Sequence, residues 1–132
     1  MELKALTYLV VGASFALYIG IARANQAWLS YHAGELEQTA KLARQALRQW
    51  GKLVFPFHWL ACWPLLAVSL AQADLDSAII QAKTMLAPEQ QQPLDELFAA
   101  LSAAIRCYPD DVEQSKVSLN QAVQLARQKH LL

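Results

Sequence analysis

Two residues with the chemistry of metal ligands, His58 and Cys62, stand four positions apart in the stretch FHWLAC. On a helix this spacing places both side chains on one face, where an imidazole nitrogen and a thiolate could bind zinc. A structural zinc site needs four ligands, however, and the helix predicted around this pair contains no Asp or Glu. The pattern therefore favours a packed histidine, and we expect neither a metal nor a cofactor.

Cys107, the second of only two cysteines, follows Arg106 in the stretch RCYPDD. A neighbouring guanidinium lowers the pKa of a thiol, so this cysteine could act as a nucleophile. No histidine stands near it in sequence, and the chain contains neither a G-x-S-x-G nucleophile motif nor a G-x-x-x-x-G-K-[ST] phosphate loop. The acid pairs in 74–76 and 110–111 lack the spacing and the glycine of a calcium loop. We therefore expect a protein that is not an enzyme.

Aromatic side chains are the other candidates for a functional surface. The residues Trp28, Tyr31, Trp59 and Trp63 could line a groove that binds a helical peptide of a protein partner. Core packing is the simpler explanation for the same residues. A third possibility is that Trp50 and Trp59 lie at a membrane interface, where tryptophan is enriched.

The overall composition excludes one class of partner and points to another. The 132 residues include 11 Lys and Arg and 11 Asp and Glu, so the net charge is zero and no field attracts nucleic acid. Hydrophobic residues make up 55% of the chain and charged residues only 17%. This excess of apolar residues indicates a membrane segment, a buried partner surface, or both.

An uncharged stretch of 17 residues, Leu6 to Ala22, is just long enough to span a bilayer as a helix. We expect residues 1–24 to form a membrane anchor and residues 25–132 to form a separate helical domain. Two alternatives remain open: a signal peptide cleaved at Ala22-Arg23-Ala24, and the core helix of a soluble protein. The anchor could also continue through Arg23 as one long helix.

The distribution of positive charge predicts the orientation of this anchor. Only Lys4 precedes the apolar stretch, whereas five basic residues lie within the first 30 residues after it: Arg23, Lys41, Arg44, Arg48 and Lys52. Because positive flanks stay on the cytoplasmic side, we expect a membrane protein with its helical domain in the cytoplasm. The soluble cytoplasmic protein is the alternative.

Three stretches of the chain align without gaps: GELEQTAKLARQAL from Gly34, ADLDSAIIQAKTML from Ala73 and DDVEQSKVSLNQAV from Asp110. Each begins with a turn residue, continues with acids that suit a helix N-terminus, and then has a small residue. A repeat of this length predicts three antiparallel helical hairpins. We expect Leu36, Leu75 and Val112 to tuck beneath the turns, and Thr39, Ala78 and Ser115 to allow close helix crossings.

The prolines suggest where the intervening helices begin and end. Pro56 can occupy the first turn of a helix, and Pro64 lies deeper in the same helix. Pro88 and Pro93 bracket EQQQ, the expected loop between the second and third hairpins. Pro109 should end the fifth helix.

Three resemblances accompany these patterns, and the two to bacterial proteins imply that the membrane is a bacterial inner membrane. The repeat resembles tetratricopeptide repeats, and residues 27–132 are similar to the C-terminal array of bacterial signalling ATPases and class III adenylate cyclases, most closely in Phe55 to Leu101. The stretch LKALTYLVVGASFALYIGIA resembles the first transmembrane helix of sodium/solute symporters of the acetate-permease type. Neither catalytic domain nor transport path accompanies these segments, so the chain could be a fragment or a fusion.

The predicted fold is therefore all-α: a membrane-type helix followed by a short tetratricopeptide-like solenoid. The predicted function is a non-catalytic scaffold that binds a protein or peptide. The resemblances imply two alternatives, namely a regulatory remnant of a signalling cyclase or ATPase and a single-helix accessory subunit of a transporter. A short solenoid exposes an apolar end near Trp28 and Leu29, which the membrane helix or a second copy of the chain could cover.

Overall fold

The structure, a computed structural model, describes residues 2–132, which form six helices and no strand. In chain order these helices are α1 (Leu3–His32), α2 (Leu36–Trp50), α3 (Trp59–Ala71), α4 (Leu75–Met85), α5 (Asp95–Cys107) and α6 (Val112–Gln128). The all-α prediction is confirmed. Its cause is local: good helix formers fill the segments, and glycine and proline fall mainly between them.

The first helix, α1, is 30 residues long, which corresponds to roughly 45 Å. It continues without a break through Arg23, so the expected boundary between residues 24 and 25 falls inside one helix. Only Gly20, Ala24 and Ala27 are buried in it, and the preceding turns are largely exposed. The helix is long and apolar enough to cross a membrane. Signal sequences and the core helices of soluble proteins can have the same length and apolar composition.

Consecutive helices pack against each other: α1 on α2, α3 on α4, and α5 on α6. The helix α3 lies centrally, because it also contacts α1, α2 and α6. Every residue from Ala61 to Ser69 is buried, and the two clusters of buried side chains both include residues of α3. The sequence of α3, which carries no charged residue, therefore lies in the core of the part of the chain that the structure describes.

Two of the aligned sequence stretches begin at a turn between packed helices. Gly34 and Ala73 both have positive φ, 78° and 57°, and each stands between two packed helices. Asp74 accepts a hydrogen bond from the Ser77 amide at 3.2 Å, and Asp111 accepts one from the Gln114 amide at 3.1 Å. These bonds satisfy free amides at the starts of α4 and α6.

The small residues of the repeat are fully enclosed. Thr39, Ala78 and Ser115 each have 0% exposure. The Ser115 hydroxyl donates to the Ala104 carbonyl oxygen at 2.9 Å, which ties α6 directly to the backbone of α5. A larger side chain at these positions would separate the two helices, so their size follows from the packing.

Two expectations about helix starts are wrong. The helix α3 begins at Trp59, so Pro56 lies in the preceding loop rather than in the first turn. Hydrogen bonds from the loop between α4 and α5 hold the loop that contains Pro56 in a non-helical conformation. Val112 remains 38% exposed, whereas the equivalent leucines of α2 and α4 are half-buried.

Candidate functional site

An open apolar groove of about 250 Å³ lies between α3, α5 and the C-terminal residues. Trp59 and Trp63 form one wall, Leu97 and Leu131 line it from α5 and from the end of the chain, and residues 91–94 form its rim. The volume suits one or two large side chains rather than a cofactor.

The two tryptophans are positioned by their spacing of four on α3. Trp63 is almost completely buried, while Trp59 is half-buried and presents part of its ring to the groove. The Trp59 Nε1 donates to the Oε1 atom of Gln91 at 2.9 Å. This bond satisfies the polar edge of the indole and leaves its apolar face available to a ligand.

The α4–α5 loop is joined to the α2–α3 loop by a group of three hydrogen bonds. The Gln90 side chain accepts from the His58 amide at 2.9 Å and donates to the Phe55 carbonyl at 3.0 Å. The Gln91 amide donates to the Pro56 carbonyl at 2.8 Å. Two loops more than 30 residues apart in sequence thus form one fixed platform beside the groove.

Trp50, at the end of α2, is enclosed. Its exposure is 0%, and its Nε1 donates to the Leu17 carbonyl oxygen at 3.2 Å. Its ring stacks on that of His58, with centroids 5.2 Å apart and planes 14° apart, and packs on Phe55 at 4.6 Å. Neighbouring side chains and α1 already cover the ring, so it is not available for contact with lipid, and a position of Trp50 at the level of a membrane interface stays a prediction.

His58 and Cys62 occupy environments that oppose charge. Burial lowers the pKa of His58, and the nearby Glu89 carboxylate offsets this only in part. The His58 Nε2 has no hydrogen-bond partner among residues 2–132. Burial raises the pKa of the Cys62 thiol to about 12, so the thiolate needed for metal binding or attack is disfavoured. The described residues contain no cluster of three or more potential metal ligands.

Trp28 and Tyr31 lie on α1 and do not line the groove. The Trp28 ring packs on that of His32, with centroids 4.0 Å apart. The Tyr31 hydroxyl accepts a hydrogen bond from Arg127, whose guanidinium lies 5.6 Å from the centroid of the tyrosine ring. The structure thus brings together Trp59 and Trp63 of the four predicted residues. A role for Trp28 and Tyr31 in partner binding stays a prediction.

Of the eight residues that line the groove, only Trp59 and Trp63 were predicted as binding residues from the sequence. The residues that were not predicted include Leu97, Leu131 and Gln91, which line it together with the tryptophans. Leu131 follows the last helix and Gln91 lies in a loop, so neither belongs to a helical period. The only available signal was EQQQ between two prolines, which indicated a loop without indicating its contacts.

Comparison of the chain with protein-family models, curated sequences and solved structures finds no significant match. The resemblances to tetratricopeptide arrays, signalling cyclases and symporters therefore stay predictions. The function has to be argued from the geometry described above.

Proposed function

We propose that this chain is a membrane-anchored, non-catalytic module that binds a protein partner. The exposed part of α1 is the anchor, and the remaining helices form a short tetratricopeptide-like array of helical hairpins. The groove between α3 and α5 binds one or two large apolar side chains of a peptide segment from the partner.

The observation that carries the binding role is the groove itself. A half-buried tryptophan, Trp59, faces an open apolar cavity whose rim is polar at Gln91 and Gln92. Tryptophan-lined pockets with polar rims are typical of the few residues that dominate binding at protein interfaces. The large apolar lining and the small volume favour a peptide side chain over a polar metabolite.

The membrane role is supported by the exposed surface of α1. Nine large apolar side chains between residues 3 and 19 are at least 40% exposed: Leu3, Leu6, Tyr8, Leu9, Val10, Val11, Phe15, Tyr18 and Ile19. Such a continuous apolar surface is unfavourable in water, at roughly 25 cal/mol per Å². A bacterial inner membrane with the helical body on the cytoplasmic side covers this surface and satisfies the charge asymmetry.

Alkaline carbonate extraction of membranes from cells that express the full chain tests the anchor. Full-length protein in the membrane pellet is the expected result. Full-length protein in the soluble fraction would contradict the anchor. A soluble product that is shorter by the N-terminal segment would show cleavage and would also contradict it.

Site-specific photocrosslinking tests the groove. A benzoylphenylalanine at Leu94, which lines the rim and is 57% exposed, should crosslink one specific protein in cells after irradiation. The matched control position is Ile80 on α4, which is 58% exposed and lies outside the groove. The crosslink at Leu94 should disappear when Trp59 is replaced by alanine, and Ile80 should give no such product.

The identity of the crosslinked product decides between alternatives. A cyclase or ATPase would assign the chain to signalling, and a transporter would make it an accessory subunit. A second copy of the chain would indicate a homo-oligomer and would contradict binding of a different partner. No specific product at Leu94, with the protein present and folded, would contradict the groove as a binding site.

A further inference from the structure

The loop between α2 and α3, residues 51–58, lies beside the part of α1 predicted to be in the membrane. Trp50, which precedes this loop, donates its hydrogen bond to Leu17, inside the predicted span of residues 6–22. Phe55 in the loop packs on Trp50, and it joins Leu17 and Ile21 around the same buried cluster. The body of the protein therefore begins before the apolar stretch of α1 ends.

This loop exposes apolar side chains although it is firmly held. Val54 is 94% exposed and Phe57 is 38% exposed. The Leu53 amide donates to the Trp50 carbonyl at 2.8 Å, and Gln90 binds both Phe55 and His58. A fixed backbone thus presents two large apolar side chains to the surroundings.

The charge next to the loop is mainly positive, although the Glu89 carboxylate lies near His58 and Glu37 lies beside the same cations of α2. Lys41, Arg44, Arg48 and Lys52 are exposed and follow one another at intervals of three and four, which places them along one face of α2 and into the loop. No Asp or Glu occurs between residues 38 and 73. This row of cations ends at the apolar tip formed by Val54 and Phe57.

We propose that Arg48, Lys52, Val54 and Phe57 form a second membrane contact, which rests on the anchor proposed above. Its partner is the surface of a bilayer that contains anionic phospholipid. When residues 6–22 span the hydrocarbon, the bond of Trp50 to Leu17 and the packing of Phe55 around the same cluster as Leu17 and Ile21 place the loop at the boundary between hydrocarbon and headgroups. The two apolar side chains enter the interface, and the two cations bind lipid phosphates.

A bilayer explains this surface better than a protein partner does. Val54 protrudes and is not part of a groove, so it offers no pocket for a side chain of another protein. Phe55 of the loop and Leu17 and Ile21 of α1 pack around the same buried cluster, so the loop lies close to this part of α1. Basic residues next to exposed apolar side chains are the pattern of an interfacial membrane contact.

Fluorescence quenching in vesicles tests this contact in the full chain. Three variants with one accessible cysteine each, V10C, V54C and I80C, are made with Cys107 replaced by serine, and each is labelled with nitrobenzoxadiazole. Cys62 stays unlabelled because it is buried and its thiol pKa is raised. Val10 and Ile80 are both 58% exposed, so they are matched controls on the anchor and on a distant helix. The vesicles contain phosphatidylcholine, phosphatidylglycerol and a lipid carrying a shallow quencher.

The expected result is strong quenching at Val10 and Val54 and none at Ile80. Quenching at Val54 should weaken in vesicles without phosphatidylglycerol and in R48Q/K52Q, with the equilibrium constant for the contact lowered roughly fivefold for each cation removed. Quenching at Val10 should not change in either case.

Each other outcome overturns a specific part of the inference. Quenching at Val10 with none at Val54 overturns the second contact and leaves the anchor intact. Quenching at neither position overturns both. Equal quenching at all three positions overturns the orientation of the body. Quenching at Val54 that is unchanged in neutral vesicles and in R48Q/K52Q overturns the role of the cations.

Discussion

The indole of Trp50 lies directly against Gly20, where the exposed half of α1 becomes the packed half. A Cβ atom at position 20 would be only 2.2 Å from the Trp50 Nε1. The same nitrogen donates to the Leu17 carbonyl oxygen, one turn earlier on α1. The last residue of α2 thus joins the helical body to the candidate membrane segment, and the absence of a side chain at Gly20 is what allows this contact.

We expect Gly20→Ala to destabilise the protein by about 1–3 kcal/mol, the usual cost of overpacking a filled site. Trp50 is enclosed on its other faces by His58 and Phe55, so it cannot move away without disrupting them. Thermal unfolding followed by circular dichroism in mild detergent measures the effect.

Gly12→Ala is the matched control on the same helix. Nothing lies within 4 Å of a Cβ at position 12, so we expect no loss, because alanine favours a helix over glycine. Equal midpoints for Gly20→Ala and the unaltered chain would show that Trp50 does not rest on Gly20.

Gln90→Ala should destabilise the platform beside the groove by about 1–3 kcal/mol, because it leaves the His58 amide and the Phe55 carbonyl without their partner. Amide hydrogen exchange at residues 53–58 should accelerate in the same variant. Gln92→Ala, an exposed residue two positions away, is the control and should change neither quantity. Unchanged exchange in the loop would contradict the bridging role of Gln90.

The positions of the turns could be predicted from sequence because their causes are local. Gly34 adopts a positive φ, and Asp74 and Asp111 each cap the helix that follows. Both effects act within a few residues of chain. The enclosed Thr39 and Ser115 could be predicted for a similar reason, since the repeat marked the crossing positions.

The groove could be predicted only in part. The spacing of Trp59 and Trp63 placed them together on one helix, but nothing in their types distinguished them from Trp50, which is core. The bonds of Gln90 and Gln91 join positions 32 to 35 residues apart, and the side chains that make them lie outside any helical period. Contacts of this kind depend on how the helices pack, which a single sequence does not encode locally.

Ala78→Leu tests the crossing positions of the repeat. Ala78 is fully enclosed between α4 and α3, so three extra carbon atoms should cost about 1–3 kcal/mol. Ser115→Leu should cost at least as much, because it also removes the hydrogen bond to Ala104. Ile80→Leu on the exposed face of α4 is the control, with a change within about 0.5 kcal/mol. A small effect at Ala78, comparable to the control, would contradict a close crossing there.

The two thiols should differ in their reaction with a disulfide reagent in the folded protein. Cys107 is half-buried and should react, whereas Cys62 is fully buried with a thiol pKa of about 12 and should not. Cys107→Ser should therefore abolish fast labelling, and denaturant should restore one reactive thiol in that variant. Fast labelling of Cys62 without denaturant would show that α3 is not enclosed as described.

The stability of the protein should fall in mild acid because of His58. Burial lowers the pKa of its imidazole below the ordinary value of 6.5, so the unfolded chain binds the proton more readily than the folded chain. The contribution of His58 to the stability is therefore fully present above the ordinary pKa of the imidazole. It is lost as the pH falls toward and through the lowered pKa of the folded state.

His58→Phe isolates this contribution, because it keeps an aromatic ring on Trp50 and removes the titrating group. Melting temperatures of both proteins are compared from about pH 7.5 to about pH 5.5, a range that covers the ordinary histidine pKa. The unaltered protein should lose more stability over this range than the variant, since other titrating groups are common to both. Parallel curves would mean that His58 accepts a proton in the folded state as easily as in water. That result would contradict its packed position between Trp50 and the α4–α5 loop.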